Sequence, residues 1–205
     1  MRATGRPWCA PLLTLPSFPP RSARDIQKWE YVPLGPFGAK NFASTISPWI
    51  VTAEALEPFA VAGPTQEDPP VLDYLKESQP SHFSIDITAA VHGNDVAEPH
   101  VITKTNMRHL YWSTAQMLAH HSVTGCNMQP GDLLGTGTIS GPEKEAWGSM
   151  LELCWRGQEE IPFPNGATRK FLKDGDTVTM AAHAQGNGFR IGFGECVGKV
   201  LPAHE

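Results

Sequence analysis

The sequence has few cysteines, and their spacing excludes the common cysteine-based sites. Its 205 residues include four, Cys9, Cys126, Cys154 and Cys196, with no CxxC pair. Neither a zinc site nor a dithiol redox motif is predicted from this spacing. We expect free and mostly buried thiols, as is typical of a reducing compartment.

Long apolar runs and concentrated positive charge are also missing. No run approaches the roughly 20 apolar residues that cross a bilayer, so no membrane partner is expected. Lys and Arg number 16 against 21 Asp and Glu, and the basic residues are scattered, which argues against nucleic-acid binding. Pro11 and Pro16 interrupt the early apolar stretch CAPLLTLPSF, which argues against a secretory signal.

What is present indicates one globular domain rich in turns. A chain of 205 residues with 40% hydrophobic and 18% charged residues is typical of a single folded domain. Glycine and proline, 19 of each, are spread along the chain without repeats or low-complexity tracts. Frequent turns between short strands follow, so we predict a mainly β fold of the α+β class with few helices.

Hydrophobic periodicity locates the main elements. HFSIDITAAVHG alternates as a half-buried strand does, with HVITKTN as its partner across the turn GNDVAEP. MRHLYWSTAQMLAHHSV repeats apolar residues at helical spacing and ends at Thr124 and Gly125. Further strands are predicted in GDLLGTGTISG, SMLELCWRG, TRKFLKDGDTVTMAAHAQ and FRIGFGECVGKVL.

Glu152 stands out because apolar residues surround it in SMLELCW. In a strand, Met150, Glu152 and Cys154 would share one face. The carboxylate is then either on the solvent side or buried and paired, because an isolated buried charge is costly. The pattern leaves both alternatives open.

The segment SARDIQKWEYVPLGPFGAK mixes polar and aromatic residues in an unusual way. Arg24, Gln27, Tyr31 and Lys40 lie among aromatic and apolar residues before a turn rich in glycine and proline. Taken alone, Arg24 and Lys40 are more typical of surface charges than of catalytic groups.

Four other polar residues have simpler interpretations. His120 and His121 end the predicted helix, where one is expected to cap or pack and the other to be solvated. Asp86 and Asp132 are expected to be sheet-edge and turn residues rather than ligands.

Several long segments of the sequence together resemble the fumarylacetoacetase family: SARDIQKWEYVPLGPFGAK, HHSVTGCNMQPGDLLGTGTISGP, GSMLELCW and GFRIGFGECVGKVLP. The similarity runs in order from Ser22 to Ala203. It implies a mixed β-sheet roll with few helices over residues 22–205. Residues 1–21 are then a proline-rich, disordered segment outside the family.

The resemblance also implies an activity and a setting. Members of this family hydrolyse a carbon-carbon bond of 4-fumarylacetoacetate to give fumarate and acetoacetate, the last step of tyrosine and phenylalanine catabolism. It implies a cytosolic homodimer with Mg²⁺ and Ca²⁺. The alternatives from the same superfamily are a decarboxylase or hydratase of related keto acids.

Site residues carry over position by position. Arg24 and Lys40 resemble cationic catalytic residues, and Glu152 resembles the carboxylate that orients a catalytic histidine. Gln27, Tyr31 and Thr138 resemble substrate-binding residues. Lys40 and Ser44 fall at the family's magnesium site, where Thr is usual in place of Ser44.

The departures from the family lower the expected activity. The family's N-terminal half, with the catalytic histidine and most carboxylates, has no counterpart in the sequence, and Pro20 replaces a metal-binding Asp. We therefore expect this chain alone to be impaired or inactive. The alternatives are a non-catalytic isoform that dimerises with the full-length enzyme and modulates it, or a plain binding module.

Overall fold

The computed structural model describes residues 14–16, 22–41 and 44–203. The predicted disorder of residues 1–21 therefore lies, apart from 14–16, outside the described residues. In chain order the elements are β1 Thr14–Pro16, α1 Ser22–Leu34, β2 Ser44–Ile46, α2 Ala53–Leu56, β3 Ala60–Val61, β4 His82–Phe83, β5 Asp86–Gly93, β6 Val96–Asn106, α3 Thr114–Ser122, α4 Met150–Leu153, β7 Ile161–Pro162, β8 Thr168–Arg169, β9 Thr177–Gln185 and β10 Arg190–Lys199.

One four-stranded sheet, in the order β10-β9-β5-β6, is the centre of the fold. The pairs β1-β2, β3-β4 and β7-β8 form small two-stranded sheets around it. The mainly β, α+β fold with few helices is confirmed. The strand pairings in the described part of the chain are all antiparallel, whereas a mixed sheet was expected.

The predicted hairpin forms from β5 and β6, with a tighter turn than expected. Gly93 pairs with Val96, so Asn94 and Asp95 alone make the turn, and β6 begins before HVITKTN. Asn and Asp are common in turns because their short polar side chains hydrogen-bond to the nearby backbone. Strand β5 lies between β6 and β9, which buries Ile87 and Val91.

Two apolar clusters make up the core. The first packs the helix α2 region against the central sheet and includes Leu56, Phe59, Ile87 and Phe193. The second packs Val91 and Val96 of the hairpin against Leu153 and Cys154. Helix α4 therefore belongs to the core as well as to the candidate site described below.

A buried arginine joins three chain segments beside the second cluster. The Arg169 side chain is 1% exposed, and its Nε and Nη2 donate to the two carboxylate oxygens of Asp176, each at 2.9 Å. Its Nη1 donates to Asp95 Oδ2 at 3.0 Å, and Nη2 donates to Asp95 Oδ1. The guanidinium thus connects the β5-β6 turn with β8 and with the loop before β9.

This network predicts a specific acid sensitivity. The hydrogen bond from Arg169 lowers the pKa of Asp95 from its ordinary 3.8 to about 2. A depressed pKa contributes stability above about pH 3.8, and this contribution is lost as the pH falls through about 2. Thermal melts of wild type and Asp95→Asn should therefore differ at pH 7 and converge between about pH 4 and pH 2. Asp174→Asn, at a neighbouring exposed position, is the control, and a difference that persists undiminished at pH 2 would contradict the assignment.

Two predicted elements differ from those observed, and for the first of them a side-chain cap decides where the helix begins. The expected helix over MRHLYWSTAQMLAHHSV is a 3₁₀ turn at Met107–His109 followed by α3. Ser113 and Gln116 form a capping box, so α3 begins at Thr114, the residue after Ser113. GDLLGTGTISG forms no strand, although FRIGFGECVGKVL does, as β10.

The cysteine prediction is supported over the described residues. Cys154 and Cys196 are buried free thiols and Cys126 is an exposed one, while Cys9 lies outside them. Within the same residues, none of the helices has the length and apolar character needed to span a bilayer.

Candidate active site between helix α1 and the segment 138–154

Helix α1 presents two of the predicted site residues on one face. Arg24 and Gln27 are three residues apart, which places neighbouring side chains on the same side of a helix. Arg24 Nη1 donates to Gln27 Oε1 at 2.8 Å, and both side chains are half-buried. The guanidinium is therefore oriented by its own helix.

The same guanidinium lies over an aromatic ring that packs beside helix α4. Arg24 Cζ is 5.9 Å from the centre of the Phe171 ring, within cation-π range. Burial lowers the pKa of Arg24, and the charge interaction with Cys154 acts in the opposite direction. Because an arginine is not deprotonated in proteins, Arg24 stays cationic. Phe171 packs against the apolar cluster of Leu153 and Cys154, so Arg24 and helix α4 lie at the same cluster.

Glu152 lies in α4, so the strand predicted for SMLELCWRG is wrong. Ser149 caps this short helix by accepting from Glu152 N–H at 3.3 Å, a local bond that periodicity does not reveal. Met150, Glu152 and Cys154 consequently do not share a strand face. Of the two alternatives for Glu152, the paired one is closer: the side chain is half-buried and accepts hydrogen bonds from Ser140 and Ser149.

Thr138 is held near this carboxylate by a close approach of two backbones. Gly148 N–H donates to Ser140 Oγ at 3.0 Å. A Cβ on Gly148 would lie 2.3 Å from the Ile139 carbonyl oxygen and 2.9 Å from Thr138 Cγ2. Glycine is therefore required at position 148. It packs against the exposed Thr138, which lies two residues before Ser140, the serine that binds Glu152.

Lys40 follows α1 in a turn that an acidic residue of that helix fixes. The Glu30 carboxylate accepts from the backbone N–H groups of Gly38 and Ala39, each at 2.8 Å. The turn therefore holds the exposed Lys40 at a defined place relative to α1, on which the Tyr31 side chain is 53% exposed. Ser44 is exposed in β2.

Sequence reasoning missed three residues that organise this region: Glu30, Ser140 and Ser149. The available signals were local, namely a carboxylate before a glycine turn and a serine three residues before Glu152. The second is the spacing of a helix N-cap and its N3 residue.

The simple interpretations of the other polar residues hold in part. Asp132 Oδ2 accepts from Gln129 N–H at 2.8 Å, as expected of a turn residue. His120 Nδ1 lies 2.9 Å from the Tyr74 hydroxyl oxygen, away from the proposed site residues in sequence and contacts. Asp86 begins the central strand β5, where its carboxylate accepts from Asn106 Nδ2 at 2.8 Å rather than lying on an outer strand.

The donor set in the described part of the chain does not fit Mg²⁺ or Ca²⁺. No three His, Cys, Asp or Glu side chains within the described ranges lie together as metal ligands. Lys40 offers an ammonium group, which only donates, and Ser44 offers one neutral hydroxyl. Hard cations require several oxygen ligands, so Lys40 and Ser44 alone do not make a site for either ion.

The fold and the site define a mainly β, α+β domain in which a helix-borne guanidinium lies at the apolar cluster beside the short helix of a hydroxyl-bound carboxylate. The chain belongs to the fumarylacetoacetate (FAA) hydrolase C-terminal family, whose pattern matches residues 21–201.

Curated relatives from distant organisms are similar over the same region. The chain is 58% identical over 182 residues to fumarylacetoacetase of Bos taurus, 56% to that of Homo sapiens and 53% to that of Arabidopsis thaliana. Each match covers 89% of this chain and 43% of the relative. The chain therefore spans less than half the length of the relatives it matches.

Proposed function

We propose that this chain carries part of the active site of a hydrolase that cleaves the carbon-carbon bond of 4-fumarylacetoacetate, in the catabolism of tyrosine and phenylalanine. The observation that carries the proposal is the position of Arg24 over Phe171, a ring that packs against the apolar cluster of Leu153 in α4, the helix that also carries Glu152. Hydrolysis of a β-diketone fits better than decarboxylation or hydration of a related keto acid, because the relatives from Bos taurus, Dictyostelium discoideum and Arabidopsis thaliana share the name fumarylacetoacetase.

The residues have complementary roles in this reaction. Water adds to the carbonyl carbon beside the bond to be broken, and the carbon-carbon bond then cleaves with its electron pair leaving on the acetoacetate carbon, which takes up a proton. Arg24 and Lys40 stabilise the negative charge that develops on oxygen. Glu152 orients the imidazole that removes the proton from water.

Binding of the substrate falls to the remaining polar residues. Gln27 is held by Arg24, and Tyr31 and Thr138 are exposed residues that offer hydroxyl groups. A dicarboxylate substrate matches the cationic character of Arg24 and Lys40, because guanidinium and ammonium groups bind carboxylates through charge-assisted hydrogen bonds.

The wider setting is part of the same proposal. We propose a cytosolic homodimer, with Mg²⁺ and Ca²⁺ held largely by carboxylates outside the residues matched here. Since the described residues offer no such ligand group and the family's catalytic histidine lies outside the matched part, the 205-residue chain by itself should be slow. No observation favours the alternative of a non-catalytic, modulating partner.

The proposal is tested by following the loss of the diketone ultraviolet absorbance of fumarylacetoacetate. We expect a rate at least about 100-fold below that of the Bos taurus relative, because a general base contributes that much or more. Arg24→Met should lower the residual rate by about a further 100-fold through loss of charge stabilisation. Calorimetric binding of fumarate gives a readout independent of turnover, and the same variant should weaken it about tenfold.

Lys28→Met is the matched control, since Lys28 is an exposed cation on the same helix. Equal rates and equal fumarate binding for Arg24→Met and Lys28→Met would refute the proposed site. A rate equal to that of the bovine relative would refute only the expected impairment.

A further inference from the structure

Two serine hydroxyls from different parts of the chain hold the Glu152 carboxylate. Ser140 Oγ is 2.9 Å from each of Oε1 and Oε2. Ser149 Oγ is 2.9 Å from Oε2. The carboxylate thus accepts hydrogen bonds from the loop that follows Thr138 and from Ser149, the residue that caps its own helix.

Backbone N–H groups fix the direction of both hydroxyls. Gly148 N–H donates to Ser140 Oγ at 3.0 Å, and Glu152 N–H donates to Ser149 Oγ at 3.3 Å. A serine hydroxyl has a single proton. With each oxygen already accepting from the backbone, each proton is directed to the carboxylate. Both hydroxyls therefore act as donors of defined orientation.

The Ser140 contact also couples the carboxylate to the segment that carries Thr138. The hydroxyl that binds Glu152 accepts from Gly148, whose Cα packs against the Ile139 carbonyl. A shift of the 138–140 segment would therefore change the hydrogen bonding of Glu152. Ser140 therefore links the position of Thr138 to the position of the Glu152 carboxylate.

We propose that Ser140 and Ser149 are positioning residues that keep the Glu152 carboxylate in a single orientation during the reaction. The inference rests on the proposed function, because it assigns Glu152 the task of orienting the catalytic base. Neither serine touches the substrate in this assignment. Their effect passes through the carboxylate, so they should influence turnover more than substrate affinity.

The variants separate positioning from folding. Ser140→Ala removes one donor. Ser149→Gly removes the other donor and is chosen over alanine because glycine is well tolerated at a helix N-cap, whereas alanine is not. Ser140→Thr and Ser149→Thr retain the hydroxyls and should restore function. Ser122→Ala in α3 is the control, since its hydroxyl bonds only to backbone carbonyls of its own helix.

The kinetic readout is the separation of kcat from KM. Loss of a hydrogen bond to a charged group corresponds to about a tenfold to hundredfold loss of rate. We expect each single variant to lose that factor in kcat with little change in KM, the double variant to lose more, and the threonine variants to recover. A folded double variant with the wild-type kcat would overturn the proposal. Threonine variants as slow as Ser140→Ala and Ser149→Gly would also overturn it.

A spectroscopic readout keeps this test independent of turnover. The carbon-13 NMR signal of the Glu152 carboxyl carbon is assigned by its disappearance in Glu152→Gln. In the double variant the signal should move toward the position of a freely rotating carboxylate, and it should return in the threonine variants. If Arg24→Met binds fumarate as tightly as Lys28→Met does, the proposed function fails. The carboxyl signal then still decides whether the two hydroxyls orient Glu152, and an unchanged signal in the double variant would refute it.

Discussion

Arg169→Met is expected to destabilise the protein by about 3–5 kcal/mol. The substitution keeps most of the side-chain volume but leaves the Asp176 carboxylate, which is 1% exposed, without its bidentate partner. Removing one member of a buried ion pair costs more than the pair contributes, because the remaining charge stays in a poorly solvated place. With total stabilities of about 5–15 kcal/mol typical, the loss should be visible in urea and thermal unfolding.

Two further variants identify the cause of this loss. Asp176→Asn in the Arg169→Met background removes the uncompensated charge and should recover part of the stability. Arg190→Met changes an exposed arginine at the start of β10 and should stay within about 0.5 kcal/mol of wild type. If Arg169→Met were as stable as Arg190→Met, the buried network would not have the structural role assigned to it.

Gly148→Ala is expected to have the largest effect at the candidate site itself. Its Cβ would lie 2.3 Å from the Ile139 carbonyl oxygen, a backbone atom that cannot move away alone. Overpacking of this kind costs about 1–3 kcal/mol. The segment 138–140 must shift, so the Ser140 contacts with Gly148 and Glu152 should lengthen or break. Fumarate binding and hydrolysis should fall together with the melting temperature.

Gly192→Ala is the matched control for a glycine-to-alanine change. A Cβ on Gly192 meets no heavy atom within 4 Å, so the added methyl group has room. Alanine also narrows the unfolded ensemble, which favours a neutral or slightly stabilising result. Gly148→Ala with the stability and fumarate affinity of Gly192→Ala would show that the two backbones do not approach as described.

The central sheet could be predicted because its strands carry a strong local signal. HFSIDITAAVHG and FRIGFGECVGKVL alternate or contain β-favouring residues over long stretches, and both form strands, β5 and β10. The helix ends and α4 could not, since single side-chain hydrogen bonds decide them. Ser149 turns an apolar run that looks like a strand into a helix by capping it.

The sequence by itself determined the mainly β, α+β class and the family of the chain, since composition, periodicity and family resemblance are properties of residue order. Only the tertiary structure decided which polar residues meet. Arg24 and Phe171 are 147 positions apart, and Asp95 and Arg169 are separated by 74. Such distant contacts are set by how the sheet and helices pack together. They depend on three-dimensional geometry, which local patterns along the chain do not encode.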